Sequence, residues 1–161
     1  MITRFLKMRQ ALVFLLLVCI QISCNKSDEQ PDGLFQNLEA SETGIDFVNK
    51  VEDREDINIF NYRNFYNGGG VSIGDINNDG LPDIYFTANM GENKLYLNKG
   101  NFKFEDITAK AGVAEPEKWS TGVVMADVNG DNFLDIYVCN AGYQKFLNKQ
   151  GNSLYINNGD L

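Results

Sequence analysis

Two stretches of the chain carry oxygen-bearing side chains at the same intervals. Asp75, Asn77, Asp79 and Asp83 occupy positions 1, 3, 5 and 9 of the first stretch, and Asp127, Asn129, Asp131 and Asp135 repeat that spacing 52 residues later. Alternate side-chain oxygens on a tightly curled loop converge on one point, and a hard cation accepts such ligands at about 2.3–2.6 Å. The residue at position 7, Leu81 or Phe133, would add its backbone carbonyl. Carboxylates crowded in this way repel one another unless a cation lies between them, so the pattern implies a divalent ion. An irregular, all-oxygen cage with a carbonyl ligand suits calcium better than magnesium, and two Ca2+ sites are expected.

Two other readings compete with a metal. An EF-hand needs a bidentate Glu at position 12, where this chain has Phe86 and Val138, and it needs flanking helices rather than the Ile-Tyr-Phe and Ile-Tyr-Val runs that follow here. Plain turns also favour Asp, Asn and Gly. A single loop would leave that reading open, but a second copy in register weighs against it. Position 6 is Gly80 in one loop and Asn132 in the other, and both residues tolerate a left-handed backbone.

These loops need elements to hold them, and the elements repeat as well. Gly70-Val-Ser-Ile-Gly-Asp75 through Asp83-Ile-Tyr-Phe86 returns as Gly122-Val-Val-Met-Ala-Asp127 through Asp135-Ile-Tyr-Val138. Leu95-Tyr-Leu-Asn98-Lys-Gly100 matches Leu154-Tyr-Ile-Asn157-Asn-Gly159. A fainter echo relates Phe104–Ile107, leading to Gly112-Val113, to Phe35–Leu38, leading to Gly44-Ile45. A period of about 50 residues points to a propeller or solenoid. Within one period, Val71–Ile73, Ile84–Ala88, Lys94–Leu97 and Phe102–Ile107 read as short strands separated by Gly, Asn and Asp. Four antiparallel strands make one propeller blade. The expected fold is all-β: two four-stranded antiparallel blades of an incomplete β-propeller, about 68–113 and 120–161, the last incomplete, preceded by a helical signal peptide. The inner strands Val71–Ile73 and Val123–Ala126 are expected to be buried, with Lys94, Lys99 and Lys103 facing solvent.

Composition limits the function. The 161 residues carry 14 Lys and Arg against 22 Asp and Glu, a formal charge of −8, without the clustered cations that nucleic acid requires. With 43% hydrophobic and 12% aromatic residues the chain can bury a core. The absence of His removes imidazole bases and His-ligated zinc. The segment Asp46–Asn67 departs from the repeat and holds Phe47, Phe60, Tyr62, Phe65 and Tyr66; these aromatics are expected to pack an inserted loop on the blade, with glycan or peptide binding as the alternative.

The N-terminus reads as an address. Arg4, Lys7 and Arg9 precede the apolar run Ala11–Ile22, whose twelve residues would rise about 18 Å as a helix, too short for a bilayer core of about 30 Å. This is the pattern of a secretory signal over residues 1–23. Residues 24–34, polar and containing Pro31, form a flexible tether, and 35–161 form the repeat region. Loss of the signal takes the formal charge from −8 to −11. Cys139 is then the one thiol without a proposed lipid; it lies in an apolar run and reads as buried and inert.

Two resemblances attach to these residues. Ile22-Ser23-Cys24 resembles the lipobox of bacterial lipoproteins, with Gln21 where Leu is usual, which implies lipidation of Cys24; Lys26-Ser-Asp-Glu29 is similar to the acidic export signals of Bacteroidetes-type surface lipoproteins. The repeat from Gly70 to Asp83 and its copy resemble the FG-GAP/VCBS repeat family, whose blades build integrin-α-like β-propellers and whose loops bind calcium. The arrangement resembles surface lipoproteins of the ASPIC/UnbV-associated VCBS type, of which this chain would be an N-terminal fragment. The resemblance implies a non-catalytic, calcium-stabilised binding or adhesion module on the outer membrane, anchored through Cys24, with an extracellular protein or glycan as partner. The alternative is part of a propeller-based enzyme, or an accessory domain, acting on extracellular polysaccharide. Repetition of the acidic cluster favours the non-catalytic reading, because a catalytic site is usually unique.

Overall fold

The computed structural model describes residues 33–141 and 151–160. The expected signal helix, Cys24 and most of the tether lie outside the described residues. The chain separates into two units, Met1–Asn37 and Leu38–Leu161. In the first, residues 33–37 form no helix or strand.

The second unit is built from short strands. A one-turn helix α1 (Ala40–Thr43) precedes β1 (Val71–Gly74), β2 (Asp83–Phe86), β3 (Lys94–Asn98) and β4 (Phe104–Asp106). A second one-turn helix, α2 (Thr108–Ala111), leads to β5 (Ser120–Ala126), β6 (Asp135–Asn140) and β7 (Ser153–Tyr155). The first four strands form one antiparallel sheet in sequential order and the last three form another. This is the all-β blade architecture expected, with the second sheet one strand short among the described residues. The faint echo corresponds to the two helices, each of which ends on a left-handed glycine, Gly44 or Gly112. The strand read as Phe102–Ile107 is shorter, running from Phe104 to Asp106. Asn98 pairs with Phe104, and Asn101 and Phe102 both take positive φ in the turn, so Phe102 leaves the strand and is exposed.

The core lies between the sheets. Ile76, Tyr85, Leu95, Ile107 and Val113 from the first repeat pack with Ile136 and Val138 from the second. Gly74 belongs to this contact: a Cβ there would stand 2.6 Å from a Leu134 methyl carbon, so β5 and its loop can approach β1 only where a side chain is missing. Hydrogen bonds across the sheets are directed by small polar residues. Met125 N–H donates to Ser72 Oγ at 2.9 Å, and Ser120 N–H donates to the Ala88 carbonyl at 3.1 Å. Asn93, fully buried, accepts from Ala88 N–H at 2.8 Å and donates to Ser120 Oγ at 3.1 Å and Glu115 Oε2 at 3.3 Å.

Equivalent rows of the two sheets are covered differently. Ser72, Tyr85 and Leu95 are cross-strand neighbours, and Tyr85 and Leu95 are 0% exposed beneath the second sheet. Their counterparts Val124, Tyr137 and Leu154 form the same row and are 50%, 37% and 50% exposed. The expected burial of the inner strands is therefore corrected. Val71 and Ile73 are 54% and 64% exposed, because the face that turns away from β5 meets no sheet among the described residues. Lys99 and Lys103 face solvent as expected. Lys94 is partly buried, pairing with Asp106 at 3.1 Å and Glu92 at 3.4 Å. Cys139 is half-buried rather than buried.

Aromatic residues of the inserted segment mainly pack. Phe65 and Ile57 are fully buried with Trp119, and Tyr62 meets Trp119 edge-on at 5.2 Å. Phe47 stacks on Phe86 at 4.9 Å. Phe60 and Tyr66 stay exposed, with the Tyr66 hydroxyl donating to Asp53 Oδ2 at 2.8 Å.

Two expected outcomes follow from this packing. Tyr85→Ala removes a buried ring whose hydroxyl donates to the Val113 carbonyl at 2.7 Å, and should cost about 3–5 kcal/mol in urea unfolding. The equivalent Tyr137→Ala should cost less than about 1 kcal/mol, because that ring is already partly solvated. Equal costs would mean the second face is covered too. The other outcome concerns Glu115, whose side chain is 5% exposed. Burial raises its pKa, but its bonds to Lys118, at 2.7 Å, and to Ser153 and Tyr155 outweigh that and hold it below the usual glutamate range. A depressed carboxylate contributes stability above its unfolded pKa and loses it as pH falls through the folded one. The wild-type chain should therefore lose stability below about pH 4 more steeply than Glu115→Gln, measured by melting across pH.

Candidate metal centre

The two Asp-rich loops join β1 to β2 and β5 to β6, so the sheet geometry places them at the same end of both sheets. Within each loop the four predicted side chains do two different jobs. The position-9 aspartates start the second strands and are buried, Asp83 at 0% and Asp135 at 1% exposure. Asp83 Oδ2 accepts the Ile76 N–H at 2.9 Å and Oδ1 accepts the Asn98 N–H at 2.7 Å. Asp135 does the same with Val128 at 3.0 Å and Asn157 at 2.8 Å. Each carboxylate thus clamps the start of its loop to the end of the next hairpin strand.

The residues at positions 1, 3 and 5 curl the loop around its own amides. Asp75 accepts from Asp79 N–H at 3.0 Å and Gly80 N–H at 2.8 Å. Asn77 Oδ1 accepts from Asp79 N–H at 3.2 Å, and Asp79 Oδ1 accepts from Leu81 N–H at 2.8 Å. The second loop copies this: Asp127 accepts from Gly130, Asp131 and Asn132, Asn129 from Asp131, and Asp131 from Phe133. Two residues per loop take the left-handed backbone that such a curl needs. They are Asn78 and Gly80 in the first loop, and Gly130 and Asn132 in the second, the same two residue types in swapped order.

Electrostatics follows this division. Burial pushes the Asp83 carboxyl up, the Asn98 and Ile76 amides pull it down, and the charges of Asp79 and Asp75 push it up again, so its protonated form is favoured beyond the aspartate norm. Asp127, exposed at the loop mouth, is held below the usual range chiefly by the Asn132 amide and also by those of Gly130, Asp131 and Asn129.

The donor set suits a hard cation. Side-chain oxygens from three carboxylates and one amide occupy each loop, with no nitrogen or sulfur ligand, and Asp83 lies within the field of two neighbouring negative charges. Among the described residues no three His, Cys, Asp or Glu side chains are gathered into a ready cage. Asp79 Oδ2 is taken by Asn77 Nδ2 at 3.0 Å, and Asp131 Oδ2 by Asn129 Nδ2 at 2.8 Å. An incoming cation would have to displace those amide donors. Leu81 and Phe133 enter through their N–H groups, which hold Asp79 and Asp131.

Asn98 and Asn157 belong to this centre although only their recurrence was visible in the sequence. Besides supplying the amides that clamp Asp83 and Asp135, Asn98 donates to the Pro82 carbonyl at 2.9 Å. Asn157 donates to the Leu134 carbonyl at 3.2 Å and, across the sheets, to the Ile76 carbonyl at 2.8 Å. Asn78 Nδ2 adds a bond to the Asn132 carbonyl at 3.1 Å, so the two loops are directly joined.

Asp83→Ala should strand two buried N–H groups at about 1–3 kcal/mol each, whereas Asp79→Ala at the exposed loop mouth should cost less than about 1 kcal/mol in metal-free buffer. Chemical denaturation in the presence of chelator checks the difference. Equal losses would contradict the division between clamp and loop mouth.

Residues 75–138, which span both loops and the strands between them, match the model of the FG-GAP-like repeat. The chain is also similar to cartilage acidic protein 1. It is 42% identical to the mouse protein over 69 residues, covering 43% of this chain and 11% of that protein. It is 42% identical to the human protein over 72 residues and 39% identical to the Xenopus tropicalis protein over 74 residues, which cover 44% and 45% of this chain. The matched part spans about a tenth of the length of these relatives.

Proposed function

We propose that this chain is a calcium-stabilised binding module of a cell-surface lipoprotein, in which the sheets of an incomplete propeller display a ligand-binding surface and carry out no catalysis. The observation that supports this most is the reproduction of one loop architecture in two successive repeats. The same four donors are held by the same backbone amides and clamped by the same buried aspartate. Carboxylates committed twice to closing loops serve the scaffold, and the match of residues 75–138 to the FG-GAP-like repeat is consistent with that use. Asp75, Asn77, Asp79 and Asp83 would hold one Ca2+, with Asp127, Asn129, Asp131 and Asp135 holding the other. The ion would supply positive charge beside the loop carboxylates, displacing the Asn77 and Asn129 amide donors, and would cross-link each loop. Export through the signal at residues 1–23 and lipidation at Cys24 would place the module on the outer membrane, facing an extracellular protein or glycan.

Calorimetry with and without chelator tests the metal. At a site affinity near 0.1 mM and about 2 mM free calcium, each ion stabilises the fold by about 1.8 kcal/mol, several degrees in melting temperature. Asp79→Ala should halve the bound calcium. A melting curve indifferent to chelator, with no metal found by elemental analysis, overturns the calcium reading. For the anchor, Cys24→Ala should accumulate as precursor and lose palmitate labelling, and normal maturation of that variant would remove the lipoprotein assignment.

A further inference from the structure

Three asparagines of the chain are followed directly by glycine: Asn67, Asn129 and Asn158. In such a pair the glycine nitrogen can attack the asparagine side-chain carbon, because no Cβ on the following residue obstructs the ring that forms. The attacking nitrogen must first give up its proton. A hydrogen bond that holds the N–H therefore opposes the reaction.

The fold treats the three pairs differently. Gly130 N–H donates to Asp127 Oδ1 at 2.7 Å, and a deprotonated nitrogen there would face a carboxylate. The Asn129 amide is held at both ends, Oδ1 accepting from Asp131 N–H at 3.0 Å and Nδ2 donating to Asp131 Oδ2 at 2.8 Å. Gly159 N–H donates to Asn157 Oδ1 at 2.9 Å, and a Cβ on Gly159 would stand 2.8 Å from the Phe133 ring. The remaining pair is open. Asn67 is exposed, and among the described residues neither its side chain nor the Gly68 N–H makes a hydrogen bond. Nothing stands within 4 Å of the place a Gly68 Cβ would take.

We propose that the fold selects Asn67 for spontaneous covalent modification, through a succinimide, to aspartate and isoaspartate. The Gly68 nitrogen loses its proton to solvent base and bonds to Asn67 Cγ; the Cγ–Nδ2 bond breaks, and Nδ2 takes a proton from water and leaves as ammonia. Water then opens the ring. Cleavage between Cγ and the Gly68 nitrogen gives aspartate on the ordinary main chain, whereas cleavage at the main-chain carbonyl gives isoaspartate. The net change is one water consumed and one ammonia released, with no oxidation or reduction.

Isoaspartate adds one methylene to the main chain just ahead of Gly68–Gly70, a closely fitted stretch. The Gly68 carbonyl accepts from Asn89 Nδ2 at 2.9 Å, and Gly70 N–H donates to Thr87 Oγ1 at 2.6 Å. A Cβ on Gly69 would stand 2.1 Å from the Thr87 carbonyl oxygen, so this backbone has no room to shift towards β2. Asn89 also donates to the Ser120 carbonyl at 2.9 Å, which ties the stretch to the start of β5. Modification should therefore loosen the junction between the inserted segment and both sheets.

The full chain, with chelator present so that protection of Asn129 reflects the loop's own bonds, is aged in mildly alkaline buffer. Peptide mass spectrometry and isoaspartyl methyltransferase labelling follow the three sites. Asn67 should convert at least about tenfold faster than Asn129 and Asn158, the ratio that one held hydrogen bond represents. In urea the three rates should fall within about threefold of one another, because only folded structure separates them. Asn67→Gln, whose longer side chain closes its ring far more slowly, should lose the isoaspartate signal at this position and melt as the fresh wild type does. The aged wild type should melt below both the fresh chain and Asn67→Asp. Conversion of Asn67 no faster than that of the other two sites in the folded chain overturns the proposal. Conversion to aspartate without isoaspartate, the mark of direct amide hydrolysis, also overturns it, as does a preference that persists in urea. Equal melting of aged and fresh chains overturns the inferred effect on the junction.

Discussion

Two buried carboxylates control this architecture. An aspartate with no solvent exposure is costly to keep charged unless donors replace its water, and Asp83 and Asp135 receive those donors from main-chain amides. The amides come from separate elements, one at the start of the Asp-rich loop and one at the end of the hairpin strand beyond it. Satisfying one charge therefore fixes the loop, the second strand and the third strand relative to each other. The same requirement met twice produces two sheets of the same design. Asn157 extends the arrangement across the sheets by bonding to the carbonyl of Ile76, the residue whose N–H is held by Asp83.

The remaining loop donors can be understood from that clamp. With the loop ends secured, Asp75, Asn77 and Asp79 need only close a short exposed curl, which they do by accepting amides two to five residues away. Their charges remain uncompensated by any cationic side chain in the loop, and they act on Asp83 through space. A cation would relieve that repulsion at the point where the fold concentrates it. The clamp and the loop carboxylates are then parts of one electrostatic arrangement rather than separate features.

The two ends of the sheets are chemically unlike. One end gathers carboxylates, and the other gathers aromatic rings, side-chain amides and bare glycine backbone. Between them the sheet contact is mixed: an apolar centre around Tyr85, Leu95, Ile136 and Val138, bordered by the buried polar set of Asn93, Ser120 and Glu115. Apolar burial supplies most of the stabilisation, while the buried polar set, whose bonds run between the sheets, favours one register of one sheet on the other. The open row of Val124, Tyr137 and Leu154 gives the second sheet the same apolar design as the first, without an equivalent cover among the described residues.

The repeat, the β class, the positions of the loops and the chemistry of their donors are all legible in the residues. These are local properties: alternation sets strands, Gly and Asn set turns, and spacing sets which oxygens share a loop. The sequence also indicated that most of the aromatics in the insertion would pack, as Phe47, Tyr62 and Phe65 do. Tertiary structure alone decided which members of each repeat are buried. Tyr85 and Tyr137 stand at the same place in the same motif, yet one is enclosed and the other is partly exposed, because among the described residues a sheet lies against only the first. Val71 and Ile73 read as a central strand and are exposed for the same reason, and Asp83 and Asp79 differ in role although both are loop aspartates. Burial depends on what arrives from distant parts of the chain, and the pattern within one repeat carries no information about its neighbour.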